Sequence, residues 1–259
     1  MAEAKMSSKA REILFEKYRA GELCTVDDKR KMFNHEHFKN IKAGKTEEDL
    51  FEYHREVAQA LLKKRYHSKI RLLDIGCGLG HFLKVCEDLD IGELYGVDIS
   101  SYALSEAREK SQAHLEEMDI ESSPLPYASD FFDVVFFKNV IEHIRDEKPI
   151  MNEILRVLKV KGELMIRTIN GERSTQWLNN HYGDPSYGYF EVCQLRTYTD
   201  LLRLLSPRFT IQLAQTTDGL IGDMVNSSWI NETLKRFLIH LDSEIGLGID
   251  LLIIASKTG

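Results

Sequence analysis

The sequence predicts an α/β protein: a doubly wound, mostly parallel seven-stranded sheet with helices on both faces, preceded by N-terminal helices. Three observations carry this expectation. Ile70 to Leu83 reads as a short apolar strand, a turn with glycine at every second position (Gly76, Gly78, Gly80), and the opening of a helix. Strand-like and helix-like patterns then alternate as far as Thr168, in the manner of repeated strand–helix crossovers. Within that series Phe132 to Phe137 is a continuous apolar run, as in a parallel strand buried on both faces. In such sheets ligands collect at the carboxyl ends of the strands.

Composition sets the outer bounds. A chain of 259 residues with 43% hydrophobic and 29% charged residues suits one large α/β domain with added helices. No apolar run approaches the roughly 18–20 residues that cross a bilayer, so no membrane span is expected. The charged start, Met1 to Arg11, predicts no secretory signal. Cys24, Cys77, Cys86 and Cys193 form no C-x-x-C pair, which predicts reduced thiols and a cytoplasmic location. A net charge of −7 without a long basic block argues against a nucleic-acid partner.

Taken in order, residues 1–69 form a leading helical segment. Ala10, Ile13, Leu14, Lys17 and Tyr18 suggest a short amphipathic helix, and a polar stretch follows at Asp27 to Lys31. A stronger helix is read from Glu47 to about Lys64, with Leu50, Phe51, Val57, Ala58, Leu61 and Leu62 on its apolar stripe. This segment either packs on the sheet or acts as a lid. The main domain, 70–259, opens with strand Ile70–Ile75 and a helix from about Leu79 to Asp88. Strand two is Glu93–Ile99, and Ser100 or Ser101 caps the helix that ends near Lys110. Strands follow at His114–Met118 and Phe132–Phe137. Asp146 is the expected cap of a helix carrying Ile150, Ile154, Leu155 and Leu158, with Gly162 beyond its end. Strand five is Glu163–Thr168. An aromatic loop, 170–196, then carries Trp177, His181, Tyr182, Tyr187, Tyr189 and Phe190, the composition of a lid or substrate wall. A helix, Thr199–Leu205, and strands Phe209–Ala214 and Ile249–Ala255 complete the pattern. Between the two strands lies a helical insertion, 216–248, with Leu234, Phe237, Leu238 and Leu241 on one face, for core closure or a dimer contact.

The glycine turn alone fits many nucleotides, because backbone N–H groups at a helix start approach a ligand closely there. Its neighbours narrow the choice. The usual dinucleotide fingerprint places a third glycine at position 81, where this chain has His81. Asp74, just before the turn, would face a pyrophosphate at close range, so a cationic group is the better guest. Asp98, at the end of strand two, can accept both hydroxyls of a ribose. A ligand with a ribose, an ammonium and no pyrophosphate fits this pair.

These residues resemble the class I S-adenosylmethionine-dependent methyltransferases. Leu72 to Gly80 is similar to their first motif and Gly96-Val-Asp98 to the second. Asp119-Ile120 stands where the family carries an acid after strand three. Leu125-Pro-Tyr…Phe132-Asp-Val-Val and Asn139 to His143 resemble the fourth-strand region, and Val157 to Leu164 the approach to strand five. The resemblance covers roughly residues 68 to 168, and the last two strands suit the family's closing hairpin, with the final strand antiparallel. It implies S-adenosyl-L-methionine as cofactor. Gly76, Cys77, Gly78 and Gly80 would form the turn around its methionine part, with Asp74 near the ammonium. Asp98 would hold the ribose, Ile99 would pack on the adenine, Asp119 would accept from the adenine amino group, and Ile120 would supply a backbone contact or apolar packing. Lys138 and Asn139 would line the pocket near the sulfonium.

Methyl transfer from a sulfonium is an in-line displacement whose leaving group needs no proton, so the protein must align the partners and take a proton from the acceptor. His143 is the candidate base, with an orienting histidine as the alternative role. His181, Tyr182 and Tyr187 are further candidate substrate contacts. Asn139-x-x-Glu142-His143 resembles a Glu-x-x-Glu-His element that holds a divalent metal in some methyltransferases; Asn139 removes one charged ligand, and no metal is expected. No Asn/Asp-Pro-Pro-aromatic motif, no Pro-Cys nucleophile and no paired-glutamate loop is present. The expectation is therefore a monomeric or dimeric methyltransferase acting on an oxygen or nitrogen of a small molecule. An NAD(P)-dependent oxidoreductase and a non-catalytic S-adenosylmethionine-binding scaffold are the alternatives.

Overall fold

The computed structural model describes residues 8–22, 24–33, 37–38, 46–171, 192–206, 208–217 and 250–259. His181, Tyr182 and Tyr187, residues 172–191 of the aromatic loop and nearly all of the helical insertion lie outside these residues.

The leading segment contributes α1 (Ser8–Arg19), α2 (Val26–Met32) and α3 (Glu47–Ala58), the last continuing as a π-helical turn, Gln59–Lys63. The polar stretch at Asp27 to Lys31 is therefore helical. Its signal is local: Thr25 and Asp28 form a reciprocal capping box, the Thr25 hydroxyl accepting from the Asp28 N–H while the Asp28 carboxylate accepts from the Thr25 N–H. Thr46 and Asp49 start α3 in the same way.

The main domain runs β1 (Ile70–Ile75), α4 (His81–Asp88), β2 (Gly92–Asp98), α5 (Ser101–Lys110), β3 (His114–Glu117), β4 (Phe132–Lys138), α6 (Lys148–Val157), β5 (Leu158–Ile169), α7 (Tyr198–Leu205), β6 (Phe209–Thr217) and β7 (Asp250–Lys257). These strands form a seven-stranded sheet in the order β3-β2-β1-β4-β5-β7-β6. The pairs from β3 to β5 are parallel, and β7 runs antiparallel to both its neighbours. The predicted architecture, including the antiparallel last strand, is the one observed. Two local expectations change. Leu158, expected in the helix, has extended backbone and opens β5 opposite Phe132. Asp146 accepts from the Lys148 N–H, but the residue flanking the helix is Glu147. Of the two expected caps, Ser100 is the one that caps α5, accepting from the Ala103 N–H.

Alternation along the strands sorts the core into two layers. Leu73, Ile75, Val135, Phe137, Leu164, Ile166 and Ile253 belong to one, with α6 and α7 supplying Ile150, Ile154, Leu201 and Leu205. Leu72, Val134, Phe136, Met165 and Ile254 belong to the other, packed with Ala58 and Leu62 at the end of the leading segment and with Phe82 and Val85 of α4. β1 and β4 are buried almost throughout, as crossover strands covered on both faces must be. Their carboxyl ends therefore open where the loops leave the sheet.

Candidate active site

A cavity of about 550 Å³ lies at those carboxyl ends, a volume typical of a small-molecule site. Its lining brings together Asp74, Gly76, Cys77, Gly78, Asp98, Ile99, Asp119, Ile120, Lys138, Asn139 and His143, eleven residues that the sequence marked from five separate segments. Gly80 is the exception among the marked glycines. It sits behind the cavity, where a Cβ would come within 2.7 Å of Ala107 Cβ, so its small size lets α4 start against α5.

The turn after β1 is built around Asp98. One carboxylate oxygen accepts from the Gly78 N–H at 2.9 Å and the other from the Ser100 N–H at 2.8 Å. Burial pushes the Asp98 carboxyl up, while the N–H groups of Ser100, Gly78 and Ile99 pull it down. Each oxygen keeps a further lone pair, so the group can still take a hydroxyl. Gly76 has φ +73°, and a Cβ there would meet Val140 Cγ2 at 2.2 Å; the turn closes only because that atom is missing. Asp74 is 4% exposed, and burial raises its carboxyl to about 7, with Lys138 pulling down and Asp98 pushing up. Two buried carboxylates on one side of the cavity suit a ribose and an ammonium and disfavour a pyrophosphate.

Beyond β4 the backbone at Asn139 is left-handed, φ +53°, with its N–H on the Arg167 carbonyl at 2.8 Å. Asparagine is among the residues that best tolerate this conformation, which gives Asn139 a backbone reason. A single 3-10 turn, Ile141–His143, follows. His143 faces the cavity, its ring 5.5 Å from Phe33 and 6.1 Å from His37, and burial holds it below the ordinary histidine value, with Glu142 pulling the other way. Glu142 itself is 2% exposed and accepts from the Thr168 hydroxyl at 2.8 Å, and the cavity lining does not include it. Among the described residues, no three of His, Cys, Asp and Glu cluster as metal ligands would. The turn is held from below by Arg196, whose guanidinium donates to the carbonyls of Ile141 and Ile144 and to Glu147.

Much of the opposite wall comes from the leading segment: Tyr18, Lys29, Phe33, His37, Phe38, Leu50, Tyr53 and His54. Lys29 pairs with Asp119 and Glu121, both at 2.8 Å, and Tyr18 donates to Glu121. Asp119 also accepts from the Ser122 hydroxyl. The cation paired with Asp119 thus comes from ninety residues upstream. His81 is 6% exposed and meets Glu47 of α3 at 2.6 Å, which fixes that helix over the start of α4. Lys29, Tyr53 and Arg167 were not marked in the sequence. Arg167 had a legible signal, since it lies at the carboxyl end of β5 beside Lys138.

Residues 66–204, just over half of the chain, match a family model described as a methyltransferase domain. The chain is 30% identical over 133 residues to a malonyl-[acyl-carrier protein] O-methyltransferase of Legionella pneumophila, a match covering 48% of this chain and 47% of that one. It is 34% identical over 113 residues to an uncharacterised protein of Methanocaldococcus jannaschii, covering 43% and 47%. The matches thus span about half the length of these relatives. Among solved structures, the plantazolicin methyltransferase BpumL in complex with SAH superposes with a TM-score of 0.62 at 14% identity, over 96% of this chain and 95% of that one. The PH0226 protein of Pyrococcus horikoshii gives 0.56 at 19%, over 80% and 91%. At such identities the likeness concerns the fold.

Proposed function

Because the chain belongs to the methyltransferase-domain family and has the class I S-adenosylmethionine-dependent fold, we propose that it transfers the methyl group of S-adenosylmethionine to an oxygen or nitrogen of a small molecule. The observation that carries this reading is the single cavity in which Asp74, Asp98 and Asp119 line one half and Asn139 and His143 the other. When bound, S-adenosylmethionine supplies a methyl group activated on a sulfonium. Asp98 accepts the ribose hydroxyls while holding the Gly78 turn. Asp74 faces the ammonium, and Ile99 and Ile120 pack on the base. Asp119 accepts the adenine amino group on an oxygen not used by Lys29. Lys138 and Asn139 line the pocket near the sulfonium. His143 would take the acceptor's proton on a ring nitrogen. Its lowered value keeps it neutral near pH 7, as a base must be.

Residues 1–69 serve as a cap, supported by the eight cavity-lining residues they contribute. All four cysteines are free thiols, which supports a reducing compartment such as the cytoplasm. No described helix is long and apolar enough to cross a membrane. The test is calorimetry with S-adenosylhomocysteine and with NADH, followed by transfer of radiolabelled methyl into a fractionated cell extract. Binding of S-adenosylhomocysteine alone, with label in the low-molecular-mass fraction and loss of labelling in His143→Ala at unchanged cofactor affinity, supports the reading. Binding of NADH alone, or label confined to protein or nucleic acid, overturns it.

A further inference from the structure

Tyr18 of α1, Lys29 of α2, and Asp119 and Glu121 beyond β3 all line the cavity. The Lys29 ammonium lies 2.8 Å from each of the two carboxylates and 5.6 Å from the centre of the Tyr18 ring. The side chains of Lys29, Asp119 and Glu121 are 11%, 4% and 15% exposed, so these charges meet with little water between them. Burial draws the ammonium down, but its bonds to Asp119 and Glu121 together outweigh that and hold it above the ordinary lysine value. Glu121 is also held from elsewhere, accepting from the Tyr18 hydroxyl on one oxygen and from the Arg145 N–H, at 3.0 Å, on the other. Asp119 divides its oxygens differently. Oδ2 accepts from Lys29 at 2.8 Å and from the Ser122 hydroxyl at 2.6 Å, which fills both of its lone pairs. Oδ1 accepts from the Glu121 N–H at 3.1 Å and, among the described residues, keeps one lone pair.

That single position decides what Asp119 can read. An ionised carboxylate only accepts, so it takes the 6-amino group of a purine and opposes a 6-oxo group, which sets lone pair against lone pair. A protonated carboxyl donates and reverses the choice. Asp119 and Glu121 both lie within 2.8 Å of one nitrogen, so without its charge two buried carboxylates face each other, and carboxylates sharing such a site hold a proton between them. We propose that Lys29 is a positioning and specificity-determining residue for the methyl donor: by bridging Asp119 and Glu121 it keeps Asp119 an acceptor with one fixed open position, and so makes the leading segment part of the reading of adenine. The division of the Asp119 oxygens separates this role from that of a plain anchor, because Lys29 and Ser122 occupy the oxygen that the base does not need. This inference rests on the methyltransferase reading above and on its assignment of the adenine amino group to Asp119.

The test is calorimetry on the full chain with S-adenosylhomocysteine and with its two analogues carrying hydrogen or oxygen in place of the 6-amino group. Wild type should bind the amino compound about tenfold tighter than the hydrogen analogue and about a hundredfold tighter than the oxo analogue. Lys29→Gln keeps a donor but removes the charge, and should cut the preference for amino over oxo by about tenfold or more. Lys29→Arg keeps the charge and should hold the preference within about threefold; this second variant decides the matter if Lys29→Gln does not fold, and loss of the preference in it overturns the proposal. Equal weakening of all three ligands in Lys29→Gln, with the preference intact, makes Lys29 an anchor only and also overturns it. Equal binding of the three compounds by wild type strikes the assignment of the amino group to Asp119, and the proposal with it, while leaving methyl-donor binding in place. Failure of S-adenosylhomocysteine to bind the wild-type chain strikes the methyltransferase reading itself.

Discussion

Replacing Asp74 by asparagine should stabilise the protein, and by an amount that grows with pH. The carboxyl is raised from 3.8 to about 7 because burial withdraws it from water and Asp98 lies close by, while Lys138 offsets only part of this. Between those two values the folded chain holds a proton that the unfolded chain has released. Stability falls with rising pH wherever the folded state binds more protons, so the penalty begins above the unfolded value and levels off above about 7. A shift of that size corresponds to an upper bound of about 4 kcal/mol at pH 8, against about 2 kcal/mol at pH 5. Asp74→Asn keeps the shape and removes the titration. The measurement is urea denaturation of both proteins, without cofactor, at pH 5 and pH 8. Taking the difference between variant and wild type at each pH cancels the titrating groups that do not interact with Asp74. The stability advantage of the variant should be larger at pH 8 by about 2 kcal/mol. A difference that is the same at both values, or larger at pH 5, would refute the reasoning.

Other perturbations report on neighbouring parts of the site. Asp98→Ala should weaken S-adenosylhomocysteine binding about a hundredfold, because charge-assisted bonds and the Gly78 turn are lost together; calorimetry giving an unchanged Kd would contradict the ribose assignment. Gly76→Ala should cost about 2–4 kcal/mol, since the added methyl lands on Val140 Cγ2 in a left-handed residue. In thermal melts Val140→Ala should recover part of that loss, and equal melting of single and double variants would exclude the clash. Arg196→Met removes the guanidinium from the Ile144 carbonyl and Glu147 and leaves the Ile141 carbonyl with the Ile144 N–H alone, with an expected loss of about 3 kcal/mol in urea denaturation.

What could be read from the chain depended on range. The order β1 to β5 and the marked turn residues were legible because strand–glycine–helix chemistry is local, and because alternation and apolar runs repeat within a few residues. α2 escaped because Val26 to Met32 is nearly all charged, so hydrophobic periodicity is silent there, although Thr25 and Asp28 carried a capping signal. Lys29 was invisible as a site residue because its partner, Asp119, is ninety residues away and nothing in either neighbourhood announces the other. His81 was read only as the residue that breaks a dinucleotide pattern; its contact with Glu47 ties a helix to a strand–turn unit and belongs to tertiary structure. Tyr53 and Arg167 meet for the same reason, one on a helix stripe and the other on a strand face.

The Lys29 contact also bears on how such a protein could diversify. The floor of the cavity is supplied by strand ends whose positions are fixed by the sheet, whereas much of the wall arrives on a separate stretch of chain held by ion pairs to Asp119 and Glu121 and by the contact of Glu47 with His81. The ion pairs ask only for complementary charge, while Ala58 and Leu62 tie the end of the segment into the core. A chimera carrying another relative's leading segment would test whether that stretch governs acceptor choice while methyl-donor binding is kept.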